Sequence, residues 1–592
     1  MITAIRKTPI RRRGMALVGA MLVMLMILTM LLLGALANGR ATDEAGGLAG
    51  HSDNVMWSGR RRAYALAAQS LAESGARLLV EWLNNGSAIN SVLQAGPPSL
   101  AGTSFYGATQ VGNYDEISTS FGGSTGKMRV RLYPYTKNAT NNRRLFVAES
   151  VGEYMGITQI IRVVITEKTF ARYAMFCDTC PANWWVQDNT FFNGPVHING
   201  INSAGTAVDS SAVLNILWKS TSTQKIFGYN GADSFTTSMA SNQIQWNKNV
   251  AGTVTAPTGT QWNNIMGTNA APLTGQPVVK MPTQSGKQYT AALAGTSEPS
   301  TTTGVKIPSS GGQTTGGVFI KGPVDRIKLS ASGTDSTVQG MEIYQSEGLV
   351  QTRTIVTINR ATNTTTIQKD TRATSLLPWV TGTATSLNGT TNGVVYSTGD
   401  VAGLSGVVAN NVMSGTDVSK TNDLTIVTDA DKKISLDGGV VYANLASDLS
   451  DANNPKSNSA AATTQSGTLG LVARNIQIKQ YTPSGAALTD MSLHATIMAY
   501  DTFDAENPRS STDASGNTVA GRAAGNFKLL GGYIAKNNGT FGQVDANSNL
   551  LAGFRVNRNY DQRAADNPPP FFPSEENSFQ VTSFQRVPNT LQ

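Results

Sequence analysis

Cysteine is nearly absent from this chain of 592 residues: Cys177 and Cys180 are the two, in Cys-Asp-Thr-Cys-Pro. A structural zinc site needs four ligands, and no second cysteine pair exists. The three histidines, His51, His197 and His494, are scattered without ligand spacing. No metal and no cofactor is therefore expected. A thioredoxin-type redox motif would open a helix after a strand, whereas Pro181-Ala182-Asn183-Trp184-Trp185 reads as a loop. The plain reading is a short disulfide between Cys177 and Cys180 in an oxidising compartment. Charge is scarce too, at 14% of residues, while glycine is abundant at 59. Few charges with many small polar residues exclude an acidic disordered tail and a helical enzyme. They suit an exported β-rich protein with many turns.

Catalytic motifs are also missing. There is no Gly-x-Ser-x-Gly elbow, P-loop or His-Glu-x-x-His, and neither His197 nor His494 has a partner that the sequence can place beside it. The expectation is that the chain is not an enzyme. The alternative is a β-helical polysaccharide-degrading protein, with carboxylates drawn from Asp400, Asp429, Asp431 and Asp437. Aspartate beside Gly, Asn or Lys is more simply a turn residue. The net charge of +8 looks like a nucleic-acid signal. Five of its cations, Arg6, Lys7, Arg11, Arg12 and Arg13, lie in the first 14 residues. Without them the balance falls from +8 to +3, so topology explains the charge better than a nucleic-acid partner does.

What is present is organised around Arg11-Arg12-Arg13-Gly14-Met15. The run Met15–Ala37 carries no charged residue. As a helix rising 1.5 Å per residue it would reach about 30–35 Å, enough for a bilayer core. The arginines before it keep the N-terminus cytoplasmic and send the rest out. A signal peptide cut after Ala35-Leu36-Ala37 and an unprocessed signal anchor are the alternatives. After a break at 38–54, a second helix is expected over Val55–Asn84. Its small-residue stripe comprises Ala65, Leu66, Ala68, Leu71, Ala72, Gly75, Leu78, Leu79 and Trp82.

The leader, its Gly and the apolar helix resemble those of type IV pilins and type II secretion pseudopilins. The stripe with its Ala-Glu-Ser-Gly-Ala turn resembles the second half of the pilin helix. The resemblance implies cleavage by a prepilin peptidase between Gly14 and Met15, and N-methylation of Met15. It also implies partners among other pilins and minor pilins and at an inner-membrane assembly platform. One departure matters: the family's usual Glu, five residues into the mature helix, is here Gly19. That Glu pairs with a neighbour's terminal amine in a dry filament core, where an unpaired charge is costly. Its absence fits a rare tip-proximal or assembly-priming subunit, similar to PilX-type minor pilins and the large tip pseudopilin.

Strands are expected at Met128–Leu132, Arg144–Ala148 and Ile160–Ile165, an antiparallel module. From Phe191 onward short strands recur in Gly-, Asn-, Ser- and Thr-rich surroundings. Among them are Val338–Tyr344, Thr352–Asn359, Val394–Tyr396, Leu424–Val427, Gly439–Tyr442 and Phe527–Ala535. Val338–Tyr344 and Thr352–Asn359 read as part of a β-meander; for the strands from about 393 onward, coils stacking an inward Val/Ile/Leu ladder fit better than the alternatives, a sandwich of long strands or several small sheets. The segments "VVYSTGDVAGLSG", "LTIVTDADKKISLDGGVVYAN" and "GFRVNRNYDQRAADNPPPFFP" resemble a family of large pilin-like bacterial proteins with a β-helical body.

The expected fold is thus α+β to mainly β: a long N-terminal pilin-like helix, transmembrane in its first half, a small antiparallel β-module, and a large β-rich domain built as a parallel β-helix. The expected segments are leader 1–14, transmembrane helix 15–37, amphipathic helix 38–90, β-module 91–170, β-rich domain 171–392, β-helix 393–560 and Pro-rich extended tail 561–592. The expected role is a minor subunit of a type IV pilus or a type II secretion-like filament. The expected location is the bacterial inner membrane as precursor, then the cell surface. The alternative is a surface adhesin or polysaccharide-binding protein, with Trp184 and Trp185 among candidate glycan contacts.

Overall fold

A computed structural model describes residues 49–85, 105–121, 124–133, 136–137, 144–179, 184–186, 190–202, 207–218, 225–231, 233–247, 255, 257–267, 271–282, 286–414, 417–445, 465–482, 484–508, 511–512, 518–519, 521–544 and 550–587. Gly14, Met15, Gly19, Cys180 and the run Met15–Ala37 lie outside them. The architecture corrects the expected α+β to mainly β fold with its long transmembrane helix: the described residues are mostly β, with 52% strand against 13% helix. The expected long helix, transmembrane in its first half, is not found among the described residues. The long helix is Ala49–Asn85, and no helix of the described residues is long and apolar enough to cross a membrane. Arg60-Arg61-Arg62, Glu73, Arg77 and Glu81 put charge along this helix, which is the amphipathic one expected at 38–90; the expected transmembrane segment 15–37 lies outside the described residues. The helix also starts before the expected Val55, because Gly50 weakens a helix without ending it.

The chain divides into two units. The first takes residues up to Lys137, Arg144–Glu167 and the chain from Asn577 on. Its sheet orders Thr109–Val111, Tyr114–Phe121, Ser124–Leu132, Arg144–Tyr154, Ile157–Thr169 and Ser574–Val587. The first five pair antiparallel. Alternation sorts the strand Ser124–Leu132 cleanly. Met128, Val130 and Leu132 are buried, while Arg129 and Arg131 reach Glu116 and Glu149 at 2.6 and 2.8 Å on the other face.

The helix covers this sheet with Ala67, Ala68, Leu71, Ala72, Ala76, Leu79 and Leu83, all buried. Spacings of three and four place them on one stripe. Small residues bring the two backbones close. A Cβ on Gly152 would stand 1.9 Å from the Ala68 carbonyl oxygen and 2.5 Å from the Ala72 nitrogen. The last strand joins the core through Phe579, whose ring meets Phe146 edge-on at 5.7 Å. The Phe579 amide donates to Asn84 Oδ1 at 2.7 Å near the end of the helix.

The second unit, Lys168–Glu576 with residues 138–143, is wound from parallel ladders. One ladder runs Val318–Lys321, Val394–Ser397, Leu424–Thr428, Leu469–Ala473, Thr496–Ala505, Tyr533–Asn538, Met175–Thr179, Val196–Ile198 and Thr236–Thr237. A second stacks Arg326–Ser332, Val401–Val408, Lys433–Tyr442 and Asn475–Ile478. A third stacks Met491–His494, Ala523–Leu530, Leu550–Asn559 and Phe191–Asn193. Sandwich sheets are antiparallel, so these stacked parallel strands make a β-helix. The chain enters it in the middle: Met175–Thr179 lies between Tyr533–Asn538 and Val196–Ile198. Coils from 175–237 and from 318–538 therefore belong to one stack.

The inward ladder reads Val318, Val395, Ile426, Leu471, Ile497, Tyr533, Met175 and Val196, all in one buried cluster. Each such side chain contributes about 1.5–3 kcal/mol on full burial. A parallel inward row is small: Ala473, Ala499, Ala535 and then Cys177, paired in register. Cys177 fills the slot of a small apolar residue there. The outward row of the first ladder is also buried. Phe319, Tyr396, Val427, Val472, Met498, Ile534 and Phe176 are covered by Phe170, Tyr173, Leu293 and Phe572. The Pro-aromatic tail therefore lies along the side of the coils rather than over an end. Thr425 Oγ1 donates to the Pro570 carbonyl at 2.5 Å, and the Phe170 amide donates to Pro573 at 3.2 Å.

Both histidines of this unit are buried. His197 continues the outward row, stacked on Phe176 at 5.8 Å. Its ring nitrogens face Thr236 Oγ1 at 2.8 Å and Asn199 Oδ1 at 2.9 Å. His494 Nδ1 accepts from the Tyr442 amide at 3.1 Å. Burial pushes His197 down to about 4 and His494 down to about 3. The nearby Arg172 and Arg563 charges add to the respective shifts.

Two outcomes follow from this packing. Gly152→Ala is expected to cost the first unit about 1–3 kcal/mol in urea unfolding. Gly59→Ala, at an exposed helical position with nothing within 4 Å of the new Cβ, is expected to be neutral or to stabilise by up to about 1 kcal/mol. The second unit is expected to lose stability as pH falls below about 6.5, because the unfolded chain takes up protons that folded His197 and His494 refuse. The loss continues down to about 4 and about 3, their folded values. His494→Gln is expected to flatten that acid limb in thermal melts followed across pH.

Candidate functional site

Between two coils the chain leaves the β-helix as an antiparallel meander. Arg326–Ser332, Val338–Glu347, Val350–Asn359 and Thr364–Arg372 pair in sequence order. Alternation gives the meander two different faces. Ile327, Leu329, Met341, Ile343, Val356 and Ile358 are buried in the main core. On the other face the register aligns Arg326, Tyr344, Arg353 and Asp370, with Gln351 opposite Arg372 beside them.

This outer face is tied by charge. Arg353 donates twice to Asp370 Oδ2, from Nε at 3.1 Å and from a terminal nitrogen at 2.6 Å. Arg326 Nε lies 3.1 Å from Asp437 and its terminal nitrogen donates to Ser405 Oγ at 2.9 Å. Burial alone would raise Asp370, but hydrogen bonds from Gln368, Arg353 and the Gly382 amide hold it below the usual carboxylate range. Tyr344 donates to Glu342. Burial, followed by that carboxylate, raises its phenol.

A loop, 373–381, folds back over this face. Val380 pairs with Thr371 through two backbone hydrogen bonds, at 3.0 and 2.8 Å, and the Gly382 amide donates to Asp370 Oδ1 at 3.1 Å. Trp379 is the loop's anchor. The Arg372 and Arg353 guanidinium carbons sit 4.3 and 5.0 Å from its ring centre, within cation–π reach. The Tyr344 ring lies 6.0 Å away. The anchored loop holds its other apolar residues outward, with Leu376 94% and Val380 68% exposed. Leu349, at the tip of the adjoining hairpin, is 79% exposed. Between loop and sheet lies an open cleft of about 450 Å³, lined in part by Asp325, Arg326, Tyr344, Gln351, Arg372 and Trp379.

The carboxylates singled out from sequence are each spoken for. Asp400 Oδ1 accepts from the Lys433 amide at 2.8 Å, and Asp429 accepts from the Tyr396 hydroxyl. Asp431 pairs with its neighbour Lys432 at 2.6 Å, and Asp437 is buried against Arg326. Burial raises Asp437 above the usual carboxylate range. No group of three or more His, Cys, Asp or Glu among the described residues could hold a metal ion. Cys177 is buried in the small-residue ladder, while Cys180, its expected disulfide partner, lies outside the described residues. Trp184 and Trp185 sit on a short strand, Trp184–Val186, paired parallel with Leu214–Leu217.

The cleft was not read from sequence. Its signal is Leu376-Leu377-Pro378-Trp379-Val380, an apolar run in a chain otherwise rich in small polar residues. An apolar run that follows a strand and contains Pro is a loop with a reason to be apolar. Trp379→Ala is expected to release the loop. Limited proteolysis should cut within 373–380 several-fold faster, while the melting of the β-helix shifts by no more than about 1 kcal/mol equivalent.

No protein-family model matches the chain, and no curated protein matches it. Among solved structures, the competence-associated pilin ComZ from Thermus thermophilus aligns at 14% identity with a TM-score of 0.26, over 88% of this chain and 97% of that one. That likeness is too distant to carry an argument about fold or function.

Proposed function

We propose that this chain is an exported subunit of a type IV pilus-type filament, a minor one that carries a β-helical body. The observation that supports the reading most is how the helix Ala49–Asn85 is used. The helix packs on the sheet from Tyr64 onward, while Trp57 and Arg60–Arg62 stay exposed. A helix that runs beyond its own sheet has surface left for other subunits. Upstream of it stand the basic leader, Gly14 and the uncharged run Met15–Ala37, which supply a processing site and an apolar segment for burial against like segments. Gly19 in place of the family Glu suits a rare, tip-proximal or assembly-priming position, because no carboxylate then needs a partner in a dry core.

On this reading the chain is not an enzyme. Its partners are other pilins, minor pilins, the inner-membrane assembly platform and the prepilin peptidase. The precursor meets the peptidase at the bacterial inner membrane, and the product is displayed at the cell surface.

Mass analysis of the mature terminus tests the reading. Cells with a prepilin peptidase are expected to yield a chain starting at N-methylated Met15, and Gly14→Val is expected to leave the leader attached. A start at Asn38 would mean a secreted protein and a start at Met1 a plain anchor. Either would overturn the filament role.

A further inference from the structure

We propose that the cleft under the Trp379 loop binds a carboxylate-bearing sugar, a uronate unit of an acidic polysaccharide. The inference begins with the arginines of the outer face, which are not alike. Arg353 is claimed by Asp370 and Arg326 by Asp437. Arg372 has no carboxylate partner among the described residues. Its Nε donates to Gln351 Oε1 at 2.7 Å, and its guanidinium lies 4.3 Å from the centre of the Trp379 ring. The group is thus fixed on one edge and one face, and its two terminal nitrogens are unclaimed among the described residues. That is the fork a planar carboxylate takes in bidentate fashion, held in place before the ligand arrives.

The rest of the cleft fits the other end of such a ligand. Asp325 is exposed, and its Oδ2 accepts from Ser346 Oγ at 2.6 Å. No cation is paired with it among the described residues, so its remaining lone pairs are open to sugar hydroxyls. The amide of Gln351 and the hydroxyl of Thr352 add polar groups of both kinds, and Trp379 and Tyr344 add an apolar wall. About 450 Å³ is enough for a pyranose ring and part of its neighbour. One open cation and one open carboxylate lining the same cleft disfavour a phosphate dianion, which Asp325 would repel. They suit a ligand with a single negative charge at one end and hydroxyls at the other.

The site is tested on the purified full chain in detergent, by calorimetry with trigalacturonic acid, its methyl ester and a triglutamate peptide. The acid is expected to bind and the ester to bind at least about tenfold more weakly, the loss of one charge-assisted bidentate contact. Arg372→Gln is expected to bring the acid down to the level of the ester, and Asp325→Asn to weaken the acid several-fold. The proteolysis of the Trp379 loop reports whether Arg372→Gln has loosened it, and Asp325→Asn leaves the loop's anchors untouched. Absence of binding, equal binding of acid and ester, indifference to both substitutions, or triglutamate binding as tightly as the acid would each overturn the proposal. The readout needs no filament, so it stands or falls apart from the start of the mature chain.

Discussion

Everything in the larger unit depends on one constraint: a short parallel strand can bury its inward side chain only if the coils above and below cover it. Val395, Ile426, Leu471 and Ile497 each lean on the next in register, and no coil has a core of its own. The constraint is sharpest at Met175–Thr179, the first strand of the stack along the chain. Its two neighbours are Val196–Ile198, close in sequence, and Tyr533–Asn538, far along the chain. The stack is therefore closed by a contact of very high sequence separation, which has to wait for a large loop entropy to be met. The small row Ala473, Ala499, Ala535 and Cys177 runs through the same junction, so the place of Cys177 there is explained by volume.

The same logic accounts for the tail. The outward row beginning at Phe319 and Tyr396 is apolar and would be exposed on a bare β-helix. Phe572, Phe170 and the short helix Lys287–Leu293 cover it. The prolines at 568–570 and 573 suit that task, since each lacks an amide donor and so leaves no buried N–H unpaired, and the chain turns there with the Phe572 amide donating to the Pro569 carbonyl at 3.1 Å. His197 sits in the same row and is neutral for the same reason: Phe176 and its own burial leave no solvent for a charge.

The meander beside the stack obeys a different rule. Its inner face belongs to the core, but its outer face is polar, and there the arginines are sorted by partner. The contrast between Arg353, paired twice with one carboxylate, and Arg372, oriented by an amide and an indole, is what distinguishes a structural contact from an available one.

By itself the sequence determined the local periods. Apolar residues every third and fourth position wrote the helix that packs Ala68 and Ala72 on a sheet, and alternation wrote Ser124–Leu132 and the meander strands, because these patterns follow from backbone geometry alone. It misjudged the balance of helix and strand among the described residues by giving the N-terminal segment too much weight. Of the aspartates it read as turn residues, Asp431 pairs with its neighbour Lys432, whereas Asp400 and Asp429 accept from Lys433 and Tyr396, 33 positions away. The tertiary structure alone decided that the coils start in the middle of the stack, that the tail lies along the side, and that Arg326, Tyr344, Arg372 and Trp379 share a cleft. Those facts join residues tens to hundreds of positions apart, and the register that joins them is set by which apolar ladders cover each other, a property no short stretch of sequence contains.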